Sequence, residues 1–170
     1  MAQATEAATE ATTNERNPKL GIAAKDIDAI STGLAQAVAE TFTLFVKTQG
    51  YHWNVTGPTF HSLHEMFEEQ YVDLHQAADD LAERMRALGA PAPGSFTEFL
   101  ALASIKDSEP TPDATTMVKR LAADHESISR ILRPLVELAD EAGDVVTADL
   151  LTARMGAHEK FAWMLRATAA

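Results

Sequence analysis

Between Phe60 and Leu88 the chain has neither glycine nor proline, and Phe60, Leu63, Phe67, Tyr71, Leu74, Ala78, Leu81, Met85 and Leu88 recur at three- and four-residue steps. That is the period of one face of an α-helix. A rod this long must cover its apolar face with other rods, which restricts the fold to helices packed side by side.

The rest of the sequence supplies the partners. Ile27, Ile30, Leu34, Val38, Phe42 and Phe45 mark a first helix, broken at Gly57-Pro58, with Pro58 suited to open the next one. After "LGAPAPG", Ser95 and Glu98 form a capping box for a short helix. "DSEPTPDA" reads as a loop. Val118, Leu121, His125, Ile128, Leu132, Leu135 and Leu138 mark a third long helix that ends at Gly143, with Pro134 inside it to kink it or remove a hydrogen bond. A fourth runs from about Val146 to Arg166. The reading is all-α: a four-helix bundle with a short extra helix in the connection between the second and third long helices. Residues 1–19 are Ala/Thr/Glu-rich with little to bury and read as a mobile tail, leaving 20–170 as one domain.

Composition narrows the chemistry. The 170 residues contain no cysteine, which excludes disulfides, thiolate metal sites and cysteine nucleophiles. A formal net charge of -11 repels nucleic acid and suits cations. No apolar run long enough to span a membrane is expected, and the acidic N-terminus does not resemble a targeting signal.

The second helix also carries metal-type residues. With His64 set at zero, about 100° per residue puts Glu68 near 40°, Asp79 near 60° and Glu83 near 100°, on one strip. His52 lies two turns beyond Phe45 on the buried stripe of the first helix. His61 and His75 are read as stepping off the strip, and with His125 and His158 they are assigned to the surface or to interfaces. Buried carboxylates need a counter-ion, and imidazole with carboxylate suits iron, zinc or manganese better than calcium. His64 and Asp79, however, are fifteen residues apart, roughly 22 Å along a helix, whereas metal–ligand bonds are about 2 Å. No Glu-x-x-His motif exists in the chain to build an intramolecular di-iron site. An antiparallel second copy solves the problem: His52, His64 and Glu68 of one chain face Asp79 and Glu83 of the other, giving two equivalent sites per dimer.

The stretch "HWNVTGPTFHSLHEMFEEQYVDLHQAADDLAERMRALG" and the ending "ADLLTARMGAHEKFAWML" resemble the Dps family, the DNA-binding proteins from starved cells, or mini-ferritins. The resemblance implies a ferritin-like bundle with the short helix in the B–C connection and a homo-oligomer of dimers closing into a twelve-membered shell. It implies ferroxidase activity on two ferrous ions per site, preferentially with hydrogen peroxide, storage of the ferric product and protection from oxidative stress in the cytoplasm. His52 and His64 match the family's histidine ligands, and Asp79 and Glu83 the carboxylates from the other subunit. Glu68 stands where Asp is frequent, and zinc is a competitor for the site. Trp53 matches the aromatic residue beside the centre. "ELADEAGDVVTADLL" resembles the pore through which iron enters, with Asp140, Asp144 and Asp149 as its lining. DNA binding, the family's named activity and the one that would bring nucleoid association, is expected to be weak or absent: the tail sets Arg16 and Lys19 against three Glu. The competing reading is a nucleoid-compacting protein with a secondary metal site.

Overall fold

The computed structural model describes residues 18–106 and 111–170. The expected tail lies outside them except for Pro18 and Lys19, as does part of the loop at 107–114. Among the described residues there are five helices and no strand: α1 (Ala24–Asn54), α2 (Phe60–Ala87), α3 (Phe96–Leu102), α4 (Ala114–Glu141) and α5 (Val145–Thr168).

Local chemistry explains their limits. The chain leaves α1 through Gly57, at φ 106°, a conformation that favours glycine. Pro58 does not open α2, as the sequence suggested. It sits in a four-residue turn closed by the Phe60 N–H on the Gly57 carbonyl at 3.0 Å, with Thr59 at φ -96°, ψ 10°. That is the second central residue of a type I turn, which leaves proline the first, its favoured place. Both α2 and α4 end in left-handed glycines: Ala90 N–H donates to the Met85 carbonyl past Gly89, and Asp144 N–H to the Ala139 carbonyl past Gly143. This six-to-one bond satisfies carbonyls that a helix end leaves open. At α3 the Ser95 hydroxyl accepts from Glu98 N–H, and the Glu98 carboxylate accepts from the Ser95 hydroxyl and Gly94 N–H. Pro134 stands in an unbroken α4 on its exposed side, where water can hydrate the carbonyl it leaves without a donor.

Cross-helix contacts give the topology. His52 meets His64 and Phe45 meets Tyr71, so α1 and α2 are antiparallel. Lys47 pairs with Asp124 at 2.7 Å, while a Cβ at Gly33 would stand 2.4 Å from Leu135, so α1 and α4 are also antiparallel and close at Gly33. Gln70 reaches His125, and fourteen residues on Arg84 reaches Asp144 just past the end of α4, so α2 and α4 run parallel. The long crossover between them carries α3, pinned by Glu40 of α1, whose carboxylate accepts from Ser104 and Ile105 N–H. On length and composition α1 could cross a membrane, at a mean hydropathy of 1.3, although no such stretch was expected from the sequence. Here Ile30, Leu34, Ala37 and Leu44 on it are wholly buried in the bundle.

One expectation about the interior fails. His125 and His158 are neither surface nor interface residues: both are fully buried, with Nδ1 atoms 2.8 Å apart. His125 Nε2 faces Gln70 Oε1 at 3.3 Å and must carry the proton there, so His125 Nδ1 accepts the proton of His158 Nδ1. Burial, and then the charge of Arg154, pushes His125 down to about 3; burial, His125 and Arg154 together hold His158 well below its ordinary value. The pair is therefore neutral and belongs to the core of α2, α4 and α5.

Candidate metal centre

His52, on the last turn of α1, is 8% exposed, and His64, on the first turns of α2, is half-buried. Their rings stack with centroids 3.7 Å apart and an 18° interplanar angle. Each Nδ1 lies 2.9 Å from the other residue's backbone carbonyl oxygen. A carbonyl only accepts, so both Nδ1 atoms carry the proton and both Nε2 lone pairs are free. This is the outer support that metal-binding histidines use. Glu68, one turn on from His64, completes a trio whose ligand atoms all lie within 4.8 Å of one another. Two imidazoles and a carboxylate suit iron, zinc or manganese, and three protein donors leave coordination positions open. The Tyr71 hydroxyl makes a long 3.5 Å contact with Glu68 Oε1. Burial, and then the Glu68 carboxylate, raise its phenol above the ordinary value, so it remains a donor.

Asp79 and Glu83 are not with this trio. The helix between is continuous, so the roughly 22 Å computed from the helical rise stands. Both are exposed on a single chain. Asp79 lines a cavity of about 200 Å³ with Val38, Phe42, His75, Ala78 and Phe99 among its walls. Phe42 and Phe99 continue into an adjoining groove with Val46, Phe96 and Leu100, of which Phe96 is 69% exposed. His75 lies on this strip and not off it: at about 100° per residue it stands near 20° from His64. His61 does pair outward, with Glu65 at 3.2 Å.

A family model described as a ferritin-like domain matches residues 32–170. The chain is 44% identical over 149 residues to a low temperature-induced protein of Nostoc sp., covering 86% of this chain and 83% of the relative. It is 37% identical over 134 residues to a DNA protection during starvation protein of Bacillus anthracis, covering 79% and 92%. Among solved structures, the Dps protein of Vibrio cholerae superposes with a TM-score of 0.87 at 32% identity, covering 91% of this chain and 98% of that one. The chain belongs to the Dps family.

One further residue marked on this Dps-family sequence sits differently from expectation. Asp144 cannot line a pore as a free carboxylate. It is 2% exposed, caps α5 through Thr147 N–H and the Thr147 hydroxyl, and pairs with Arg84 at 2.6 Å. Burial pushes its carboxyl up, but the Thr147 and Arg84 hydrogen bonds outweigh that and hold it below the usual range. Asp140 and Asp149 are exposed. Trp53, beside His52, turns its ring outward at 67% exposure.

Proposed function

We propose that this Dps-family protein is a ferroxidase and iron-storage protein. It oxidises ferrous iron, preferentially with hydrogen peroxide, at a centre shared by two chains, and so protects the cell from oxidative stress. The observation that carries the reading is the division of donors along α2: a pre-oriented imidazole–carboxylate trio at one end and exposed carboxylates beside an apolar groove at the other. An antiparallel partner would bring Asp79 and Glu83 onto His52, His64 and Glu68 and cover Phe42, Val46, Phe96 and Leu100. Trp53, exposed next to the trio, would be enclosed by the same surface.

The chain's residues bind and orient the substrate ions in a site closed to bulk water. Two ferrous ions give one electron each to one peroxide, its O–O bond breaks, and two protons complete two waters. Pairing the electrons in this way avoids releasing hydroxyl radical. The dimers assemble further into a dodecameric shell in the cytoplasm, with Asp140 and Asp149 attracting iron at its pores.

Mixing two inactive variants tests the shared centre. His52→Ala/His64→Ala and Asp79→Ala/Glu83→Ala chains, dissociated and reassembled together, should regain one intact centre of the two in each mixed dimer. Absence of iron oxidation despite proven subunit exchange refutes sharing. Zinc should inhibit by competing for the trio. DNA binding is weak or absent at physiological salt, given the net charge of -11. A gel shift that persists at moderate salt would instead favour the nucleoid-compacting role.

A further inference from the structure

We infer that His75 and Asp79 form a second seat for a divalent transition-metal ion, built by one chain at the acidic end of α2. Four residues apart on a continuous helix, they are neighbours on one face. They line the same cavity of about 200 Å³, whose other walls are Val38, Phe42, Ala78, Ala82, Pro93 and Phe99. No Lys or Arg is among these described residues to neutralise Asp79. The cations nearest in sequence are committed elsewhere: Arg84 pairs with Asp144, and Arg86 donates to the Ala90 carbonyl. The imidazole is braced edge-on by Phe45, with ring centroids 5.3 Å apart.

An imidazole beside a carboxylate selects iron, zinc or cobalt over magnesium and calcium, which prefer oxygen alone. The wall opposite is apolar, so it offers an ion no competing partner. The seat itself needs no second chain. Its use as a station beside the shared centre, holding an ion before Glu83 and the partner's histidines take it, rests on the function proposed above.

The test starts from the full-length His52→Ala/His64→Ala chain, which lacks the imidazoles of the trio. Cobalt(II) is titrated in and followed by its visible absorption and by the metal retained after gel filtration. One cobalt per chain should bind with an absorption typical of nitrogen–oxygen ligation. Adding His75→Gln should weaken binding at least tenfold and move the spectrum towards that of oxygen ligands alone; adding Asp79→Asn should weaken it similarly. Position 75 is exposed and Gln is a good helix former, so the fold is retained. Cobalt binding with the same affinity and spectrum with and without His75 overturns the proposal. So does a loss that follows Asp79→Asn alone. Failure of the mixed-variant experiment would leave this titration unaffected, so the two readings fail separately.

Discussion

His125 and His158 face each other through Nδ1 atoms 2.8 Å apart, both wholly buried in the bundle. An unfolded imidazole takes up its proton near pH 6.5, whereas folded His125 resists until about 3. Between those values the unfolded chain binds more protons, so this pair's contribution is complete above pH 6.5 and is lost as the pH falls. Each pH unit in the window costs about 1.4 kcal/mol per buried imidazole. Thermal unfolding from pH 7 to 4 should therefore show a steep acid loss. A His125→Leu/His158→Leu chain should show a flatter slope; an unchanged slope would place the acid sensitivity elsewhere.

The Asp144 carboxylate both caps α5 and neutralises Arg84, whose side chain is only 13% exposed. Asp144→Ala removes the cap and leaves a mostly buried guanidinium without its ion pair, which should cost about 2–4 kcal/mol in urea unfolding. Asp144→Asn keeps the cap and should lose less. Equal losses would mean that the cap contributes nothing, and no loss from Asp144→Asn would mean that the charge contributes nothing.

Glu68 is the carboxylate gathered with His52 and His64, whereas Glu65 pairs with His61. Glu68→Gln should weaken zinc binding by about tenfold or more, on the order of 1.4 kcal/mol, and Glu65→Gln should not. Calorimetric titration of both variants separates a ligand from general acidity.

The groove formed by Phe42, Val46, Phe96 and Leu100 is apolar and open on a single chain. Phe96→Glu would force a charge into any surface that covers it, so sedimentation should show smaller particles. The exposed position means that helix content by circular dichroism should remain. Assembly identical to the parent would exclude this groove from subunit contacts.

The four long helices were legible because their apolar spacing survives folding almost unchanged, and Ser95 with Glu98 announced α3 as the structure has it. The trio was also legible, since His64 and Glu68 share a face at one-turn spacing. His125 and His158 were misassigned, yet the signal was present: His125 is in step with Leu121, Ile128 and Leu132, and His158 with Leu151 and Leu165, all of them buried. Their polarity obscured their position. His75 was set aside although its angle puts it on the strip. Asp144 was assigned to a pore, whereas the ion pair that holds it in the interior reaches Arg84, sixty residues away in sequence, a distance that no local pattern spans.

The exchange of Nδ1 protons and carbonyls between His52 and His64 couples two ring orientations to the joint between α1 and α2. Neither imidazole can rotate without stranding a proton donor of its own and depriving the other residue's backbone. The entropy of aligning the lone pairs is therefore spent during folding, and an arriving cation meets donors already aimed. Loading should accordingly be governed by encounter and dehydration of the ion, with little left for the side chains to rearrange.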